Sequence, residues 1–308
     1  MEQKRLEWLD MAKGIAIILM VLGHTSIPDQ LSNFIFAFHM PLFFIASGWC
    51  TNWDLENYRV FVLKKLRTLG IPFLIYSVAV ILIAWVAGYQ EIEWRSVLAK
   101  GWKGYALWFV PVLFFSLVIA KSIMSFINKV WFRYAICVLL LLGGAFLRYR
   151  HIYLPWTLAT IPYATCLVLL GSSLRKFHEY IEKPRWWIFV ICLTLTIVIS
   201  QNWRLDLAWN NIIPVVILTI GAVSGTAMVF TLSSWLNNQG KLLLVPNVFL
   251  AIGKETFIIM AFSQIIIVTL NLHTGWGSAV RYVCLIVVLF FLVCMKNLVN
   301  RIVGKKIM

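Results

Sequence analysis

One pattern constrains this chain more than any other. Apolar runs of about twenty residues recur along it, separated by short clusters of lysine and arginine. A bilayer core about 30 Å thick takes roughly 20 helical residues per crossing. Inside it, helices satisfy every backbone polar group within their own segment. Ten such runs lie at approximately 12–27, 31–50, 70–89, 104–127, 132–147, 155–174, 186–201, 209–236, 247–272 and 277–299. The expected fold is therefore an all-α polytopic integral membrane protein of about ten transmembrane helices. Residues 1–308 are expected to form a single membrane domain without an appended soluble module, since no repeat or low-complexity tract is seen.

Composition agrees with the pattern. The chain is 61% hydrophobic and 13% charged, where an average soluble domain has about 45–50% and 25%. That excludes an ordinary cytosolic enzyme and a disordered chain, because so much apolar surface cannot face water. The net charge of +15 invites a nucleic-acid reading. The cations, however, flank apolar runs, as the positive-inside rule and anionic lipid explain, so no nucleic-acid partner is expected.

With the N-terminus inside, eighteen lysines and arginines fall on inner segments and seven on outer ones. Both termini are thus expected in the cytoplasm, and the protein in the cell's inner (plasma) membrane. The polar lead Met1–Lys13 lacks the features of a removable signal peptide. Six cysteines without a C-x-x-C pair read as small apolar residues, and no metal site is expected.

Ionisable groups inside a span are costly, and they mark candidate sites. Lys13 and His24 are eleven residues apart across an apolar stretch. At about 100° per residue they share one helix face, about 16 Å apart along the axis. Asp10 shares that face and stands three residues before Lys13, within reach of an ion pair. His24 is suited to take a proton from an attacking hydroxyl, or to accept an acyl group itself. A histidine merely buried against a backbone carbonyl is the plainer reading. His39, near the middle of the second span, faces His24 if the two spans are neighbours. Pro41, Ser47 and Gly48 on that span are explained by kinking and close helix packing.

Several segments together resemble a known family. Arg5-Leu6-Glu7-Trp8-Leu9-Asp10-Met11-Ala12-Lys13-Gly14, leading to Val21-Leu22-Gly23-His24, resembles the opening motif of membrane acyltransferase family 3, with its Arg/Lys-x10-His spacing. Phe38-His39-Met40-Pro41-Leu42-Phe43-Phe44 through Ser47-Gly48 resembles its second motif. Lys64-Lys65-Leu66-Arg67 before Ile71-Pro72-Phe73 resembles its basic third-span entrance, and Leu107-Trp108-Phe109 to Phe114 a later Trp-Phe segment. The opening is most similar to the fucose 4-O-acetylase-like branch. Gln264 stands where many relatives carry a late histidine.

The resemblance implies an O-acyltransferase that uses acetyl-CoA as donor substrate and needs no metal. The acceptor it implies is a hydroxyl of a cell-surface or secreted glycan, or of a lipid-linked oligosaccharide. His24 and His39 become the candidate catalytic residues. Lys13, with Lys64, Lys65, Arg67 or Lys254, becomes a candidate for meeting the CoA phosphates, and Asp10 joins this donor site by holding the Lys13 ammonium; Arg67 stands out among the loop cations because it is closest to the third span. Topology signalling is the competing explanation for Lys64, Lys65 and Arg67. Lys254 and Glu255 sit inside the ninth run and, being adjacent, point to different sides. A proton-coupled transporter or flippase for a glycan or lipid-linked sugar is the alternative function. The lack of repeated halves speaks against it.

Overall fold

The computed structural model describes residues 6–88, 105–183, 185–239 and 244–303. Lys4, Arg5, Arg95, Lys100, Lys103, Lys241, Lys305 and Lys306 lie outside these residues, as does Trp102. The described residues are helical with no strand. In chain order the helices are α1 Glu7–Gly23, α2 Asp29–Cys50, α3 Tyr58–Val86, α4 Phe109–Phe126, α5 Val130–Tyr149, α6 Ile161–Leu174, α7 Trp186–Asn202, α8 Val215–Asn238, α9 Leu244–Lys254, α10 Thr256–His273 and α11 Ser278–Val303. Eight helices among the described residues are long and apolar enough to cross a membrane. The first and seventh runs form helices of 17 residues each, α1 and α7. The protein is an all-α multi-pass membrane protein. "Inner" and "outer" below follow the lysine and arginine bias.

Burial separates a centre from a periphery. In α2, 72% of the apolar stretch is buried, against 6% in α5 and 11% in α11. A helix that is apolar all round either sits inside a bundle or faces lipid; α2 is inside, and α5 and α11 turn most of their surface to lipid. α1 packs on α2, α8, α9 and α10, while α2 also meets α6, α7 and α8. Small residues permit the closest approaches, as expected where lipid gives helices no hydrophobic reason to associate. A Cβ on Gly48 would run into the Val168 carbonyl of α6, and one on Gly171 into the Ile45 carbonyl of α2. Gly14 of α1 and Gly253 of α9 stand in the same relation to Phe249 and Asp10.

Several elements differ from the runs read in the sequence: the run 70–89 is the later part of α3, which starts at Tyr58, and the run 209–236 becomes a long helix only at Val215. The first helix begins at Glu7 rather than near residue 12, and its polar start is packed: Trp8 is 5% exposed and Asp10 4%. The Trp8 indole meets Trp49 at 5.5 Å and Phe230 at 5.3 Å. That cluster ties the inner ends of α1, α2 and α8. The run 247–272 is two helices, broken at Glu255 (φ −114, ψ 18). Gly253 docks against α1 while Glu255 reaches Lys296 of α11 at 2.7 Å.

Candidate active site

The α1–α2 pair borders two separate cavities, one towards each side of the membrane. The inner one, about 240 Å³, is lined by Lys13 of α1, Ser47 and Cys50 of α2, Thr51, Asn52 and Glu56 of the following loop, and Lys64, Lys65 and Thr68 of α3. Leu113 and Leu117 of α4 complete an apolar wall. Three lysines against one glutamate leave this chamber cationic. Asp10 is held beside Lys13 at 3.4 Å, the i,i+3 pair expected from the sequence. Lys64 bonds Glu56 at 2.5 Å, and the Lys65 ammonium lies 5.4 Å from the Phe61 ring centre.

Arg67 is not part of this lining; its side chain is exposed. Residues 66–70 form a π-helical turn within α3, and Lys64, Lys65, Thr68 and Leu69 share the inward face that Arg67 misses. The structure thus brings Lys13, Asp10 and Lys65 together and leaves Arg67 outside. Lys121, buried at 3% exposure, donates to the carbonyl oxygens of Trp53 and Glu56. A cation within a span is thereby satisfied by fastening the chamber's loop to α4.

The outer cavity is small, about 30 Å³, roughly the share of one water. Met20 and His24 come from α1, Phe36, His39 and Met40 from α2, Ala106 and Trp108 from the approach to α4, and Leu205–Ala208 from the loop after α7. The two histidines meet here. The Phe36 ring contacts both, His24 at 5.7 Å and His39 at 4.9 Å between centroids. His39 is 3% exposed and its Nδ1 lies 2.8 Å from the Ile35 carbonyl. A carbonyl only accepts, so Nδ1 carries the proton and Nε2 of the neutral ring keeps its lone pair. His24 caps the C-terminal end of α1 and is half-buried, so its ring borders the cavity from the membrane's outer end.

Between the chambers stands an aromatic layer. On α2, Phe43 falls between Met40 of the outer lining and Ala46 of the inner. On α4, Phe109 falls between Trp108 and Leu113. The two rings touch at 5.9 Å, and Phe44 joins Phe109 at 4.7 Å.

Other residues singled out by the sequence lie elsewhere. Glu255 is occupied by Lys296, and Lys254 is exposed. Arg148 donates to the Tyr153 hydroxyl at 3.0 Å on the exposed outer side. Gln264 is buried within α10, with its Oε1 unbonded. Sequence reasoning overlooked Asp206, an acid at the outer cavity. Burial raises its carboxyl above the ordinary value, opposed by Arg204 and by the N–H groups of Ala208, at 3.1 Å, and Trp209, from which it accepts. Its only signal in the sequence is an acid in a short outer loop between two spans.

A family model for an acyltransferase domain, that of acyltransferase family 3, matches residues 6–304. No curated protein and no solved structure matches the chain.

Proposed function

The chain belongs to acyltransferase family 3, a membrane acyltransferase, and from that premise we propose that it carries an acyl group, acetyl in the first instance, from cytosolic acyl-CoA to a hydroxyl of a cell-surface or secreted glycan at the inner (plasma) membrane. The observation that carries this reading is the pair of unlike chambers on one helix pair, cationic at the inner end and imidazole-lined at the outer. CoA is a cytosolic polyanion, and Lys13, Lys64 and Lys65 offer its phosphates charge-assisted hydrogen bonds. A pantetheine arm laid along α1 spans the roughly 16 Å from Lys13 to His24. The Phe43–Phe109 layer then parts to admit it.

At the outer end His24 takes the proton of the acceptor hydroxyl as its oxygen attacks the thioester carbonyl. The new C–O bond forms, the C–S bond breaks, and the leaving thiolate receives the proton back from the imidazolium. His39, with Nδ1–H fixed on Ile35, presents Nε2 as a second acceptor in the same chamber. The sugar thereby remains outside while the acyl group crosses.

Purified protein assayed for CoA thiol release tests the proposal. Release that depends on a hydroxylated acceptor is expected. A protein that moves a glycan or protons across a vesicle without consuming acyl-CoA is a transporter, and the reading fails.

A further inference from the structure

The outer loop carries an acid for which the transfer step has no task. Residues 203–214 are fastened at several points. Asp206 and Asn211 exchange backbone hydrogen bonds at 3.1 and 2.8 Å, and Asn211 Nδ2 donates to the Arg204 carbonyl at 2.9 Å. Asn210, in the left-handed region at φ 48, donates from Nδ2 to the Gly144 carbonyl of α5 at 3.2 Å. Thr160 donates to the Leu207 carbonyl at 2.7 Å. Arg204 lies 4.3 Å from the Phe36 ring centre and donates to Asn33 Oδ1 at 3.1 Å. The loop is thus pinned to α2, to α5 and to the turn before α6, and it brings Asp206 to the wall of the histidine chamber as the one acid in that lining.

A carboxylate has about four lone-pair sites, and the backbone N–H groups of Ala208 and Trp209 take two of them. The remaining sites suit hydroxyl donors. Trp108 and Phe36 line the chamber beside Asp206; at about 30 Å³ it admits a hydroxyl and not a whole ring, so the sugar would sit at its mouth with its apolar flank towards these aromatics. We propose that Asp206 binds the acceptor: its carboxylate receives a hydrogen bond from a hydroxyl neighbouring the one that is acylated, which sets the hydroxyl presented to His24 and favours a neutral polyol over an anionic sugar. This rests on the acyl-transfer reading above.

The competing explanation is that Asp206 only caps the turn Leu207–Trp209. Asn caps such a turn about as well as Asp, so Asp206→Asn separates the two. The assay measures CoA thiol release from acetyl-CoA with a panel of neutral methyl glycosides and the matching methyl uronides. For Asp206→Asn, the acceptor KM is expected to rise about tenfold or more, as the loss of a hydrogen bond to a charged group gives. The KM for acetyl-CoA should stay as in the wild type, and the preference for neutral glycosides should shrink. Asp206→Glu, which keeps the charge, should retain that preference at a lower kcat/KM. Wild-type turnover with an unaltered acceptor KM and preference in both variants overturns the assignment of Asp206 alone. No acceptor-dependent release from the wild type overturns the acyl-transfer reading itself.

Discussion

The inner and outer chambers share the α1–α2 pair and could hardly differ more. The inner is about 240 Å³, with three lysines on its wall; the outer is about 30 Å³, with two imidazoles, an indole and a carboxylate. Along α2 they are separated only by the six residue steps from Met40 to Ala46, about 9 Å of helix. Binding a charged donor calls for room and cations. Proton transfer to a single hydroxyl calls for a tight space with little water and a neutral base, since low dielectric strengthens each interaction there. Placing the two at opposite ends of one helix pair lets each have its own environment, and the Phe43–Phe109 layer keeps them apart.

The sharpest way to break this comparison is at the outer end. Replacing His24 by Gln removes the base but keeps a polar side chain of similar reach. Acceptor-dependent CoA release should fall by about a hundredfold or more, with acetyl-CoA binding kept; full activity in a folded variant would dissolve the division of labour. At the inner end Lys13→Gln should raise the KM for acetyl-CoA by about tenfold, the worth of one charge-assisted contact, while kcat changes less, and Lys13→Arg should recover most of the loss. An equal fall in kcat would mean that Lys13 acts beyond binding.

Smaller effects sharpen the boundary. Phe109→Ala thins the aromatic layer, and hydrolysis of acetyl-CoA without any acceptor should rise a few-fold as water gains access to the thioester. The smallest effect concerns the two cations near the π-turn of α3. Lys65→Ala should raise the acetyl-CoA KM several-fold, whereas Arg67→Ala should leave it within about twofold, because Arg67 is exposed outside the chamber. The reverse ranking would mean that the inner lining is misassigned.

Particular residues show how far the sequence could be read. Lys13 lies on, and His24 caps, one continuous helix, Glu7–Gly23, as their apolar spacing led one to expect. The pair Asp10–Lys13 followed from helical pitch. His39 was expected opposite His24 only on condition that α1 and α2 pack together, which they do, with Phe36 between the rings. Arg67 was singled out over Lys65 because proximity along the chain favoured it. The π-turn at 66–70 is a local change of pitch that apolar periodicity does not report, and the cavity takes Lys64 and Lys65 instead. The break at Glu255 was hidden for a related reason: the run 247–272 is apolar on both sides of it, and the residue that Glu255 pairs with, Lys296, is 41 residues away. Asp206 was invisible because its importance comes from loop closures to α5, to the turn before α6 and to α2.

By itself, then, the order of residues determined that the chain forms apolar helices, where most of the apolar runs lie, and which side chains are in register along one helix. These properties depend on hydrophobicity and pitch, both local along the chain. Tertiary structure alone decided which helices are central, which lysines share a chamber, and which loop acid reaches the histidines. In a membrane almost every helix face is apolar, so composition does not tell a lipid-facing surface from a packed one. The choice falls to small-residue contacts such as Gly14 with α9 and Gly48 with α6, where backbones meet closely enough to exclude any side chain.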